Sequence, residues 1–304
     1  MKTYSYSDIS SEVSNEAFPE VENKEIKITN SIQSNSLDEV IEELNSLIGL
    51  RQVKQEVHSL VNFIKVQKAR VESGLKSSSV SYHCVFSGNP GTGKTTIARI
   101  VAQIYKCLGV ITQGQLIETD RSKLIGEWEG QTAVKTNKVV DSAINGILFI
   151  DEAYSLVGST QDDFGKEAVA TLIKRMEDDR DKLIVIVAGY TNEMKTFIDT
   201  NPGFKSRFNR YIEFADYSPD ELLAIFKLEC SKQDYKLNED AEKKLTELFN
   251  TAWTNRDRTF GNGRLARNIF EKALEEQANR ISNNPTPNKE TLETITTDDI
   301  PEFV

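Results

Sequence analysis

Gly88-Asn89-Pro90-Gly91-Thr92-Gly93-Lys94-Thr95 carries the spacing G-x-x-x-x-G-K-[ST], and the chain on either side settles what the spacing means. A strand-like run over 82–86 leads in. A helix expected over 95–108 leads out, with Ile97, Ile100, Val101, Ile104 and Leu108 at the 3.6-residue period. In that setting glycines let successive backbone N–H groups turn toward one phosphate, and the helix start adds the positive end of its dipole. Lys94 is placed to bridge the β- and γ-phosphates of a nucleotide, and the Thr95 hydroxyl to ligate Mg2+. Asn89, Pro90, Gly91, Thr92 and Gly93, with Thr96 beside Thr95, complete the expected cradle.

A second motif lies downstream. Ile147-Leu148-Phe149-Ile150-Asp151-Glu152 is a short apolar strand that ends in two acids. Strand C-termini form the ligand edge of a parallel sheet, so both carboxylates are expected beside the loop. Asp151 is then a second holder of Mg2+, and Glu152 is placed to polarise a water for in-line attack on the γ-phosphate. Further strands are expected over 115–119, 183–188 and 211–214, with helices near 133–143 and 166–176 between them. Continuous apolar strands alternating with helices give an α/β fold, a five-stranded parallel sheet covered on both faces.

The ends read differently. Residues 1–35 are rich in Ser, Glu, Asn and Lys without any period, and are expected to be a disordered acidic arm. Order is expected from Ser36-Leu37-Asp38-Glu39, a capping box that opens a short helix through Leu47; after a break at Ile48-Gly49-Leu50, a longer helix carries Val53, Val57, Leu60, Val61 and Ile64 on one face. The α/β domain therefore spans 36–216. Ser218-Pro219-Asp220-Glu221 starts a small α-helical domain over 217–282, and 283–304 reads as a tail in which Thr296-Thr297-Asp298-Asp299 is placed to cap one last turn.

The 304 residues hold 37 Lys plus Arg against 47 Asp plus Glu, a net charge of −10, which counts against a nucleic-acid partner. Three cysteines are too few for a disulfide framework, so a reducing, cytoplasmic setting is expected. The apolar runs are strand-sized, well under the ~20 residues of a membrane helix, so no membrane partner is expected. The start of the chain is polar and has no look of a signal peptide. His83 is expected to be packed, not a ligand.

Together the two motifs resemble Walker A and Walker B of the AAA+ ATPases, which are P-loop NTPases with a helical lid. The runs Leu124–Ala133, Asp151-Glu152-Ala153-Tyr154-Ser155-Leu156, Ala188-Gly189-Tyr190 and Asn201-Pro202-Gly203 are similar to the CbxX/CfxQ group within them. The resemblance implies ATP hydrolysis with Mg2+, in a homo-oligomeric ring, usually a hexamer, with ATP held between subunits. It implies an arginine finger in Ser206-Arg207-Phe208-Asn209-Arg210, Arg207 first and Arg210 second. It also implies a sensor arginine at Arg264, with Arg267 one turn on as fallback, and adenine contacts from Ile48-Gly49-Leu50. The sensor that positions the attacking water falls on Asn192, with Thr191 as the alternative and helix capping as a competing role for Asn192.

Trp128 occupies the position of the aromatic pore residue in AAA+ translocases, which implies a protein client gripped through the ring. The usual aromatic–apolar–Gly pattern is here Trp128-Glu129-Gly130, and a packing tryptophan is the competing reading. A second, smaller pore loop around 158–164 is expected from position alone. The competing functions are a nucleic-acid motor or loader, and a scaffold that assembles with ATP and turns over slowly.

Overall fold

The computed structural model describes residues 36–76, 80–157, 163–282 and 286–302. The arm expected over 1–35 lies outside them, as does the second pore loop except for its last two residues.

Helix α1 (Leu37–Ser46) opens on the expected box: the Glu39 N–H donates to the Ser36 hydroxyl, and the Glu39 carboxylate accepts from the Ser36 N–H. Helix α2 (Arg51–Glu72) buries Val53, Val57, Leu60, Val61 and Ile64, the stripe that its period requires. Next come β1 (Cys84–Gly88), α3 (Lys94–Cys107), β2 (Leu116–Thr119), α4 (Arg121–Leu124) and α5 (Gln131–Ala143). They are followed by β3 (Gly146–Ile150), α6 (Asp163–Asp178), β4 (Leu183–Gly189), α7 (Thr191–Asp199), α8 (Pro202–Lys205) and β5 (Arg210–Phe214).

The five strands form one parallel sheet in the order β2-β3-β4-β1-β5. Alternation along β3 and β4 divides the interior into two cores. Ile147, Phe149, Ile184 and Ile186 join the side of α1, α2 and α3. Leu148, Ile150, Val185 and Val187 join the side of α5, α6 and α7. Burial on both faces explains why these strands read as unbroken apolar runs. Their C-terminal ends, at Gly88, Ile150 and Gly189, share one edge of the sheet.

A helical lid follows, built from α9 (Pro219–Lys232), α10 (Glu239–Thr254) and α11 (Gly263–Ile281), with a two-residue strand β6 (Lys236–Leu237) between the first two. Ser218 starts α9 with a second capping box through Glu221. The expected tail is corrected: 286–302 fold back onto the lid as α12 (Lys289–Glu293), β7 (Thr294–Ile295) and a short turn. β7 pairs with β6, and Ile295 and Ile300 are buried. Asp299 is fully buried against Arg280, its oxygens 2.7 and 2.8 Å from the guanidinium. Burial alone would raise that carboxyl's pKa; Arg280 and the Thr296 N–H outweigh it and hold it below the usual range. Two isolated isoleucines give no period, which is why the sequence reads as a tail there. Among the described residues no helix is long and apolar enough to cross a membrane.

His83, just before β1, is packed as expected. Its Nδ1 accepts the Val185 N–H at 3.0 Å and its ring lies edge-on to Phe208. Burial first, then the Arg207 charge, push its pKa from 6.5 to about 4, against a smaller opposite effect of the Met176 backbone. The folded chain thus excludes a proton that the unfolded chain binds below pH 6.5. The stability is complete above that pH and declines as pH falls toward 4. By pH 5 the loss from this group is about 2 kcal/mol. Denaturant titrations from pH 8 to 5 should show a flatter profile for His83→Gln than for the wild type; parallel profiles would contradict this assignment.

Candidate functional site

The phosphate loop joins β1 to α3 at the ligand edge. Gly91 (φ +73) is in the left-handed region, and a Cβ there would stand 2.1 Å from the Gly261 carbonyl oxygen of the lid, so only glycine fits. The Thr92 hydroxyl is buried and donates to the Asn89 carbonyl at 2.8 Å. Lys94 bends back over the loop, its Nζ donating to the Gly88 and Asn89 carbonyls at 2.8 Å each. Burial lowers its pKa to about 8; Asp151 opposes the shift, Arg264 adds to it, and Glu152 and Asp216 oppose it. An anion at the loop would relieve that burial cost.

Asp151 and Glu152 follow the fully buried β3, as the sequence predicts. The Asp151 N–H donates to the Thr119 carbonyl at 2.9 Å, continuing the β2–β3 ladder by one step. Glu152 then takes a left-handed conformation (φ 47), and its N–H donates to Asp151 Oδ1 at 3.1 Å. This sharp turn puts both carboxylates on the wall of one cleft of about 790 Å³, which Lys94, Thr95 and Thr96 also line.

The rest of the cleft is apolar on one side and cationic on another. Ile48 and Leu50 line it together with Tyr217, Ile225 and Leu228, a surface suited to a flat ring. Gly49 does not itself line the cleft; it and Leu50 (φ 62 and 56) make the left-handed turn that starts α2 and sets their neighbours in place. Arg264 and Arg267, on the first turns of α11, both reach the cleft, and Arg267 Nε lies 3.6 Å from Glu229. Tyr217, which lines the cleft, carries no site signal in the sequence.

Asn192 is not brought to this cleft. The turn after β4 is only one residue long, so Gly189 and Tyr190 line the cleft, while Thr191 and Asn192 already belong to α7 and are exposed. The capping role is not met either, because Tyr190 holds the N-cap position.

Arg207 and Arg210 lie at the other edge of the sheet. Arg210 opens β5 opposite Cys84, and four residues, about 13 Å, separate it from Phe214, which pairs with Gly88. Its guanidinium sits over the Phe63 ring at 5.5 Å. Arg207 donates from Nη2 to Glu177 Oε2 at 2.9 Å and from Nη1 to the Gly203 carbonyl at 3.0 Å. Asn201-Pro202-Gly203 has a local purpose here: the Asn201 side chain caps α8, the single turn that delivers Arg207.

Trp128 is 69% exposed and does not pack within the described residues of this chain. The base of its loop is fastened by side chains from α5: the Thr132 hydroxyl accepts the Gly126 N–H at 3.0 Å, and the Thr136 hydroxyl donates to the Leu124 carbonyl at 3.0 Å. Lys135 Nζ adds bonds to the Ser122 and Ile125 carbonyls.

With this geometry in view, residues 84–216 match the ATPase family associated with various cellular activities (AAA), and residues 218–303 match the AAA lid domain. Stage V sporulation protein K of Bacillus subtilis (strain 168) is 40% identical over 272 residues, covering 89% of this chain and 84% of that protein. The chain belongs to the AAA ATPase family. It is an ATP hydrolase with a parallel five-stranded sheet and a helical lid. The ESX-1 secretion system protein EccA1 of Mycobacterium leprae (strain TN) is 45% identical over 254 residues, and this chain spans 44% of that protein's length. A point mutant of RuvB from Thermotoga maritima shares the fold at a TM-score of 0.56 and 19% identity, over 84% of this chain and 69% of that one.

Proposed function

We propose that copies of this chain form a ring, six by the family resemblance, in which ATP hydrolysis drives remodelling or partial threading of a protein client. The observation that carries the reading is the exposed Trp128 on its braced loop. An indole held in water gains from burial against an extended polypeptide with little dependence on its sequence. A relative named for a secretion system supports a protein-handling role. The setting we assign is the cytoplasm.

In this reading ATP lies with its ring against Ile48 and Leu50 and its phosphates on the loop. Lys94 leaves the Gly88 and Asn89 carbonyls for the β- and γ-phosphates. Thr95 and Asp151 offer hard oxygen donors that fit Mg2+, which when bound would neutralise phosphate charge. Glu152 takes the proton of the attacking water. Arg264 approaches the γ-phosphate from the lid. Arg207, or Arg210 behind it, enters from a neighbouring copy.

Trp128→Ala tests the client step separately from the chemistry. Its basal ATP turnover is expected within about twofold of wild type, because the Trp128 side chain is not among those that line the cleft, while ATP-dependent unfolding of a fluorescent reporter with an unstructured tail falls about tenfold. Unchanged unfolding by the variant would remove Trp128 from the mechanism.

A further inference from the structure

The outer face of the phosphate loop is held by the lid. The Gly263 N–H donates to the Gly91 carbonyl at 3.1 Å, and Asn262 Nδ2 lies 3.3 Å from the Pro90 carbonyl. A peptide unit directs its C=O and N–H to opposite sides. With the Pro90 and Gly91 carbonyls fixed toward the lid, the Gly91 and Thr92 N–H groups point away from it. The lid contact therefore sets the direction of two donors in the phosphate cradle.

Asp216 is the centre of this contact. Its carboxylate accepts the Asn89 side-chain amide at 2.9 and 3.1 Å and the Asn262 side-chain amide at 2.8 Å. Arg256 Nε, whose guanidinium lies 3.7 Å above the Trp253 ring, is 3.5 Å away. Asn262 is fully buried, and its Oδ1 accepts the Tyr217 N–H at 2.8 Å. It holds φ 50 and ψ −124, a conformation natural to glycine and strained for asparagine. Glycines stand on both sides of it, so strain is concentrated at the one residue of this turn whose side chain reaches Asp216. That same turn starts α11, which carries Arg264 and Arg267 into the cleft.

We propose that Asp216 and Asn262 are positioning residues for nucleotide binding: a polar pin through which the lid orients the phosphate-loop amides. The pin acts on donors that face phosphates common to ATP and ADP. Its loss weakens both nucleotides and leaves the chemical step nearly intact.

Asn262→Gly keeps the backbone conformation and removes only the side-chain bonds. By calorimetric titration with ADP its Kd is expected to rise about tenfold, and KM for ATP with it, while kcat stays within about twofold. Asn262→Asp sets a second carboxylate against Asp216 and should weaken ADP further. The exchange Asp216→Asn with Asn262→Asp restores the donor–acceptor pair between the two side chains in reverse but sets a carboxylate against the Pro90 and Phe260 carbonyls, so it should recover only part of that loss. Thermal melting without nucleotide confirms that each variant is folded at the assay temperature. A folded Asn262→Gly with wild-type ADP affinity makes the contact purely structural and overturns the proposal. So does a fall in kcat at unchanged Kd.

Discussion

Glu152→Gln is expected to lower ATP turnover by about 10³-fold while the chain still binds ATP and ADP with wild-type affinity. The substitution is isosteric, so the strained turn at φ 47 and the N–H bond to Asp151 survive it. What changes is the ability to accept a proton from water at the γ-phosphate. Lys94 is also affected, but weakly: Glu152 is only one of three carboxylates that support its charge, and Asp151 exceeds it. Binding therefore serves as the internal control. If kcat falls by less than about tenfold, the proton goes elsewhere and Glu152 only shapes the cleft. If binding is lost together with turnover, the carboxylate acts on loop geometry, and the assignment of Glu152 as base fails.

How much of this site the sequence discloses depends on how far apart its parts lie in the chain. The phosphate loop is legible because its eight residues make one local structure whose glycine and lysine positions have few substitutes. Asp151 and Glu152 are legible because β3 is buried on both faces and its apolar run must stop at the ligand edge. The capping boxes at Ser36 and Ser218 are local as well. Asn192 misleads because residue type alone does not reveal that β4 ends at Gly189 and that α7 begins two residues later. The contact of Asn89 and Asn262 with Asp216 joins positions 127 and 46 residues apart, and asparagine is common in loops. No local pattern marks it. For Trp128 the sequence supplies the position, but the exposure comes from the Thr132 and Thr136 bonds at the base of the loop. Similarly, the packing of 286–302 on the lid rests on single residues, Ile295, Asp299 and Ile300, each meaningful only beside its partner.

Arg207→Ala is expected to lower turnover by about 10³-fold, the usual worth of an arginine supplied to a transferring phosphoryl group. Arg207 cannot serve its own cleft, because it sits at the N-terminal edge of the sheet and the phosphate loop sits at the other. In the isolated chain its guanidinium is occupied by Glu177 and the Gly203 carbonyl, and the side chain is 22% exposed. Its Nε is buried without a partner among the described residues, so the group is incompletely satisfied where it rests. Entering a neighbour's site would exchange the Glu177 carboxylate for phosphate oxygens. Mixing two inactive chains tests this directly. An Arg207→Ala chain keeps its own Glu152, and a Glu152→Gln chain beside it supplies Arg207, so one productive site forms wherever they meet in the right order. Random mixing in equal amounts should recover about a quarter of the wild-type sites. If the mixture stays as inactive as its components, although the two variants co-assemble, Arg207 does not act across the interface. Arg210→Ala mixed with Glu152→Gln in the same way then decides whether the second arginine takes that role. Recovery there, and none with Arg207, would move the finger to the start of β5 and leave Arg207 as the partner of Glu177 alone.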